Sequence, residues 1–500
     1  MIFLEHGGTP SSEVDPSEFF HVMRGIGSLG FANILVNLNG IILLPVLSKT
    51  LSVSDYGIWV QLTVTLGLLL LATTLGLPSG FVRYFAAVGN KKDIQKGFFS
   101  MAAAILLTTS VASVIFYYFS PVLASSLFGG SIFVAKTLPL ILIFLSFNIF
   151  FLSYFLTFQR IRAYALLYLA QTYLMVGLVT VAVLGGRGLN GAVLGYLLAQ
   201  VVMFLVMVGI IFSEIGVKMP SFSHIRKYLS FSLPLVQSDI FQWVVNVSDR
   251  YVITLLLGIV YVGYYSPGYT LGAMLSFVMY PFTTLLPVHL SSYHDHGEDE
   301  KVASILKYSF KYFMLAAIPC VFGISALSKA ILQLLSTPEI AAHGYFITPF
   351  TAASMLLYGL TGLYTLPLLL EKKTRYIAVG TTSAAIVNLS VNIAIVPYLG
   401  ILGAAISTLA AFAVSLTIIA FFSSKYFSPH FDWVFVIRSG IASLPTLFII
   451  AVWNPTGVIG VIACIAVCAS AYLAGLLALR GIRIDELTFI FKALVSRRQA

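Results

Sequence analysis

The sequence predicts an all-α, polytopic membrane protein with about 14 transmembrane helices, arranged as two six-helix repeats around a central cavity with two helices appended. Three observations carry this prediction. Of 500 residues, 59% are hydrophobic and only 9% are charged, a balance outside the range of soluble globular chains. Apolar runs of about 20 residues, the length an α-helix needs to cross hydrocarbon, recur from end to end. The basic residues sort onto alternate inter-span loops.

The spans are read at 26–47, 57–77, 98–119, 137–157, 164–184, 191–212, 233–257, 264–287, 309–331, 346–369, 376–397, 401–422, 434–453 and 457–479. With these boundaries 23 of the 28 lysines and arginines fall on one face, four (Lys49, Lys136, Arg187 and Lys329) on the other, and Arg250 remains inside a span. The bias places the basic face, and both termini, in the cytoplasm of a multi-pass plasma-membrane protein. It also supports the span count, because one missed helix would scramble every later loop. The net charge of +10 is thus a topology signal with anionic membrane lipids as neighbours, rather than a nucleic-acid footprint. No polar stretch is long enough for a separate soluble domain. Glu5, Glu13, Asp15 and Glu18 precede any basic residue. That is unlike a cleaved signal peptide, so the first span is expected to act as an uncleaved signal anchor. Cys320, Cys464 and Cys468 lie in apolar segments and read as free buried thiols.

Two pieces of the chain recur. Asp55-Tyr56-Gly57-Ile58-Trp59 follows the first span and Val262-Gly263-Tyr264-Tyr265 the seventh, an offset of 206 on the glycines. Gly188-Leu189-Asn190-Gly191-Ala192 matches Gly400-Ile401-Leu402-Gly403-Ala404 at an offset of 212, which also brings Arg162-Ala163-Tyr164 close to Arg375-Tyr376. Similar offsets at equivalent topological positions indicate duplication. The expected organisation is a cytoplasmic segment 1–25, a first lobe 26–213, a linker 214–232, a second lobe 233–424, two additional helices within 425–480 and a cytoplasmic tail 481–500. Six spans per lobe give both lobes the same orientation, so a substrate site is expected between them near the midplane.

The seventh span carries the chemistry. At about 100° per residue, Ser232, Asp239, Gln242, Asn246, Asp249 and Arg250 share an arc of about 100°. A charge facing lipid at a helix centre costs on the order of 3 kcal/mol. The stripe must therefore face protein or a watery cavity. The functional reading is a cavity wall for a polar or charged substrate; the plainer one is a buried network that locks helices together. By repeat position Asn33 and Asn37 on the first span correspond to the stripe, and Asn388 and Asn392 on the eleventh share their i, i+4 spacing. For these asparagines the two readings are balanced. Arg24 and Arg83 at cytoplasmic span ends read as interfacial anchors or as an electropositive mouth that attracts phosphate.

Other features read plainly. His294-Asp295-His296 with Glu298, Asp299 and Glu300 invites a metal site, but its place in the longest inter-span loop fits a solvated charge run. Prolines such as Pro45, Pro234, Pro267, Pro367 and Pro397 mark kinks or helix ends. No HExxH, Walker or nucleophile-elbow pattern is present, so neither catalysis, ATP hydrolysis nor a cofactor is expected.

The segments Ala32-Asn33 to Leu44-Pro45 and Leu51 to Gly57 resemble the opening of the polysaccharide, or O-antigen, flippases. So do Asp249-Arg250-Tyr251, Leu257-Gly258 and Val262 to Tyr265, and Asn388, Asn392, Pro397, Gly400 and Gly403 to Ala405. The resemblance covers essentially the whole chain and marks the multidrug, oligosaccharidyl-lipid and polysaccharide exporter superfamily. It implies two six-helix lobes that move an isoprenoid-(pyro)phosphate-linked oligosaccharide across the membrane for lipopolysaccharide or exopolysaccharide export, alongside glycan polymerase or assembly proteins. It also implies cationic cavity residues, matched best by Arg250 and then by Arg24 and Arg83. Bidentate arginine suits phosphate.

Alternating access is the expected mechanism, with Asp239 and Asp249 as H+- or Na+-linked switches that compete for Arg250. The alternative is a cation-coupled multidrug exporter of the same superfamily, which needs an acid-dominated cavity. A membrane-embedded polymerase or ligase is disfavoured by the short outer loops.

Overall fold

The structure, a computed structural model, describes residues 35–36, 38–284, 286–426 and 432–482. All regular elements among them are helical. Ten segments are long and apolar enough to cross a membrane. One of these, Ile161–Ile215, contains two helices.

In chain order the helices are α1 (Asn39–Thr50), α2 (Val53–Thr74), α3 (Leu77–Phe85), α4 (Lys91–Tyr118), α5 (Ser120–Leu127), α6 (Ile132–Thr157), α7 (Ile161–Ala182) and α8 (Gly188–Ile215). Then follow α9 (Ile225–Val247), α10 (Asp249–Leu256), α11 (Ile259–Ala273), α12 (Ser276–Thr284), α13 (Leu286–Asp295), α14 (Asp299–Leu335), α15 (Pro338–Gly344), α16 (Ile347–Leu370), α17 (Thr374–Leu399), α18 (Ile401–Ser423), α19 (Trp433–Trp453) and α20 (Gly457–Ala478). Large apolar side chains such as Leu107, Val114, Leu166 and Phe448 are exposed, as a lipid-facing surface requires and a water-facing one penalises.

In the first half α6 packs against α2, α4 and α8, and α7 against α8; in the second, α18 packs against α16 and α17, and α16 against α14. The appended helices α19 and α20 pair with each other and lie against α14. Among the described residues α11 and α9 make the broadest contacts between the halves: α11 packs on both α2 and α16, and α9 on both α3 and α17.

The seventh and eighth expected spans differ most from the sequence reading. The seventh begins eight residues earlier, at Ile225, and is interrupted at Ser248 between α9 and α10. The eighth is interrupted between α11 and α12, with short-range Met274 N→Leu271 O and Leu275 N→Gly272 O bonds at the break; α12 and α13 adjoin Leu285, which lies outside the described residues. Asp239, Asn246 and Asp249 lower the hydropathy of the seventh span, and Pro267 removes a backbone donor from the eighth. Broken helices at membrane depth are tolerated where they line a cavity or are buried in protein.

The sequence repeat has a backbone counterpart. Gly188, between α7 and α8, adopts φ 56° and ψ −150°, and Gly400, between α17 and α18, adopts φ 60° and ψ −143°. Side-chain-bearing residues pay on the order of 1–3 kcal/mol for such backbone geometry. A Cβ on either glycine would meet open space, so this strain is the whole cost of substitution. Gly400→Ala is expected to lower unfolding stability by about 1–3 kcal/mol, read as a lower melting temperature in detergent with the fold retained. An unchanged melt would show that the turn relaxes.

Candidate functional site

Asp249 and Arg250 open α10, and both are buried, at 1% and 6% exposure. The Arg250 Nη1 donates to Asp249 Oδ1 at 2.6 Å and to the Asn246 carbonyl at 2.9 Å. The Arg250 backbone N–H also donates to Asp249 Oδ1, and the Tyr265 hydroxyl donates to Asp249 Oδ2. Tyr269, one turn beyond Tyr265 on α11, lies beneath the guanidinium: Arg250 Cζ is 3.8 Å from its ring centroid and 5.2 Å from that of Tyr265. The Tyr269 hydroxyl donates to the Asn246 carbonyl at 2.9 Å. An arginine can be held this deep because a carboxylate, a carbonyl and two aromatic faces replace its water.

Arg250, Asn246 and Tyr269 face a cavity of about 430 Å³, closed on its other sides by Asn39, Tyr56 and Trp59 from the first half of the chain. The same cavity reaches Met175 on α7 and Tyr196 on α8. It therefore lies between the halves, where the duplication predicts a site. Tyr251 Oη donates to Thr65 Oγ1 at 2.9 Å and Thr254 Oγ1 to Gln61 Oε1 at 3.1 Å. These bonds tie α10 to α2 beside the cavity.

The polar stripe does not form one wall. Ser232 is fully buried where α9 crosses α3: a Cβ on Gly76 would lie 2.8 Å from the Ser232 carbonyl oxygen, and one on Gly80 2.5 Å from Ser232 Oγ. Small residues allow that close crossing. Asp239 is exposed. Among the described residues the carboxylate that pairs with Arg250 is that of Asp249, so of the two coupling candidates Asp249 alone reaches the arginine. Gln242 lines a second cavity, within the second half. Thus α9 is a partition with a different environment on each side.

Asn388 and Asn392 are wholly buried. Ser248 Oγ donates to Asn388 Oδ1 at 3.1 Å, Asn392 Nδ2 to the same oxygen at 3.2 Å, and Asn388 Nδ2 to Thr408 Oγ1 at 3.4 Å. These bonds fasten α17 to α18 and to the α9–α10 junction, while Asn392 Oδ1 is buried without a partner. Arg83 is exposed near the end of α3. Arg24, Asn33 and Asn37 lie outside the described residues, as does the expected signal-anchor start.

In the acidic loop His294 Nδ1 meets Asp299 Oδ1 at 2.9 Å, and Lys301 Nζ meets Glu298 Oε2 at 2.5 Å. Among the described residues no cluster of three or more His, Cys, Asp or Glu is arranged to hold a metal ion. The three cysteines are free.

Sequence reasoning missed Tyr265 and Tyr269. Their i, i+4 spacing places both on one face of α11, but tyrosine in an apolar span carries no charge to betray it. Asn39, which lines the main cavity, was missed because only Asn33 and Asn37 have the spacing of the later asparagine pair.

Residues 22–294 match the model of a family described as polysaccharide biosynthesis protein. The chain is 25% identical over 219 residues to Agl15 of Haloferax volcanii, a probable low-salt glycan biosynthesis flippase. That alignment covers 44% of this chain and 46% of the relative, so it spans less than half the length of that protein. The fold is similar to that of the lipid II flippase MurJ in its inward closed conformation, with a TM-score of 0.74 at 16% identity, covering 90% of this chain and 98% of that one. It is also similar to an inward-facing multidrug resistance MATE family transporter of the MOP superfamily, with a TM-score of 0.62 at 14% identity, covering 79% and 97%.

Proposed function

The chain belongs to the polysaccharide biosynthesis protein family, and from that premise we propose that it is a flippase for an isoprenoid-(pyro)phosphate-linked oligosaccharide. The head group travels from the basic, cytoplasmic face to the outer leaflet of the plasma membrane, with both termini in the cytoplasm. Two lobes, 26–213 and 233–424, rock around the central cavity. The isoprenoid carrier stays in the bilayer, because moving it through a polar cavity would forfeit its burial in hydrocarbon.

One observation supports the reading above the others: a buried arginine, braced by Asp249 and lying over Tyr269, forms part of the wall of the inter-lobe cavity. A guanidinium in a site of low dielectric is a strong partner for a phosphate oxygen. Asp249 neutralises it between substrates, so the empty site carries a paired charge rather than an isolated one. Protonation of Asp249, or a sodium ion beside it, frees Arg250 for the phosphate. This links an ion gradient to substrate binding. Asp249 is occupied by Arg250 and Tyr265, which leaves the cavity without the uncompensated acid a cationic drug would require. The similarity to the Haloferax volcanii probable glycan biosynthesis flippase and the likeness to the lipid II flippase fold agree with this reading.

The test is the sidedness of lipid-linked oligosaccharide in cells lacking the protein and holding no redundant flippase. Cytoplasmic accumulation that the wild-type chain clears is the expected result. A normal distribution in the deletion strain would discard the glycolipid substrate and bring the multidrug exporter forward.

A further inference from the structure

The second cavity, of about 300 Å³, lies inside the second lobe between α9, α12, α13, α16, α17 and α18. This volume is at the lower end of the range for small-molecule sites. Its polar lining comes from Gln242, Thr361, Thr365, Thr381, Ser415 and Tyr358. Among the described residues no lysine, arginine, histidine, aspartate or glutamate lines it.

The hydrogen bonds give the lining a definite polarity. Thr361 Oγ1 donates to Leu357 O at 2.8 Å, Thr365 Oγ1 to Thr361 O at 2.8 Å and Thr381 Oγ1 to Ile377 O at 3.0 Å. Each hydroxyl proton is committed to its own helix, which leaves oxygen lone pairs as acceptors. The Gln242 Nε2 is a buried donor without a partner. A buried amide left unpaired is costly and asks for a ligand acceptor. The Tyr358 and Phe412 rings, with centroids 5.1 Å apart and tilted by 42°, add aromatic surface.

We propose that this cavity is the carbohydrate subsite of the flippase, a neutral pocket that takes a sugar ring while Arg250 holds the phosphate; the assignment rests on the function proposed above. A cation there would lack a counter-charge, and a phosphate would lack a donor of opposite charge. A bare hydrocarbon chain would leave Gln242 unpaired. A sugar presents hydroxyls that both donate and accept, and C–H faces that pack on aromatic rings. The partition supplies the register: Val245 faces this cavity while Asn246 and Val247 face the main one. Gln242 and Arg250 are eight residues apart, an axial rise of about 12 Å at helical spacing, so a head group that engages both must pass around the α9 partition.

The experiment uses the purified full chain and two probes, farnesyl pyrophosphate and farnesyl-pyrophosphoryl-N-acetylglucosamine, with affinities followed by tryptophan fluorescence. The wild type is expected to bind the glycosylated probe more tightly. Gln242→Leu should lose about five- to tenfold for the glycosylated probe, the scale of one hydrogen bond with an unpaired partner, while keeping its affinity for farnesyl pyrophosphate. Thr361→Val with Thr365→Val should shift the same ratio, and the bare probe reports that each variant is folded. Equal wild-type affinity for both probes, or a sugar preference that survives both variants, overturns the subsite and leaves the pyrophosphate site standing. Failure of the wild type to bind either probe overturns the flippase reading, and the subsite with it.

Discussion

Arg250→Ala abolishes flipping to within the background of the deletion strain. The side chain is buried at the wall of the inter-lobe cavity and is already desolvated, so a phosphate that reaches it exchanges little protein hydration for a charge-assisted bond. Truncating one partner of such a buried, hydrogen-bonded charge pair costs about 2–5 kcal/mol. That corresponds to a loss of roughly 30-fold to several-thousand-fold in affinity. Arg250→Lys keeps the charge but loses the planar fork and the stacking on Tyr269, and falls between wild type and alanine. The complication is Asp249, which Arg250→Ala leaves as a buried carboxylate with Tyr265 as its remaining side-chain donor. The double variant Arg250→Ala with Asp249→Asn removes that burden. It should recover expression and thermal stability without recovering transport. If the double variant flips lipid-linked oligosaccharide at the wild-type rate, Arg250 is a structural ion-pair partner and the phosphate lies elsewhere.

Arg250 was legible in the sequence because lipid penalises an unpaired charge so heavily that a surviving one must be paired or functional. The membrane-spanning helices were legible for a similar reason: hydrocarbon thickness acts on every helix independently of its neighbours. What was not legible depends on which helix lies opposite. Asn388 and Asn392 have the same i, i+4 spacing whether they line a cavity or lock helices, and the contacts with Ser248 and Thr408 emerge only from the packing. Gln242 and Asn246 lie on one stripe, yet α9 separates two cavities and sends them to different ones. A stripe about 100° wide is broad enough to span such a partition. The glycine pair Gly57 and Gly263 was visible as a repeat match, but a repeat says nothing about contact unless the symmetry axis passes close by.

That axis does pass close by, and Gly57→Leu is expected to jam the protein open toward the outside. Gly57 on α2 and Gly263 on α11 occupy equivalent repeat positions and face each other: a Cβ on Gly57 would overlap the Ile259 carbonyl oxygen, and one on Gly263 the Val53 carbonyl oxygen. The obstruction is backbone on both sides, so no side-chain rotation relieves it. Nearby, Lys49 Nζ donates to Leu334 O at 2.6 Å and Ser48 Oγ to Leu335 O at 3.2 Å. These contacts close the lobes over the central cavity on the face with few basic residues, which the proposed orientation makes the outer face. Alternating access requires them to part and re-form in every cycle. A leucine at Gly57 adds an overpacking cost of about 1–3 kcal/mol or more to the closed arrangement alone. By population-shift arithmetic this moves the equilibrium about 5- to 150-fold toward the outward-open state, and flipping falls accordingly. Gly263→Leu should do the same, because the crossing is reciprocal, and Gly57→Ala should do less. A reporter cysteine at Thr63, which lines the cavity, gives the sign. In Gly57→Leu its labelling by an impermeant maleimide from outside rises as transport drops. A variant that loses transport with unchanged labelling would mean that the substitution damages packing without holding the outer gate open, and the seal would have to be sought elsewhere.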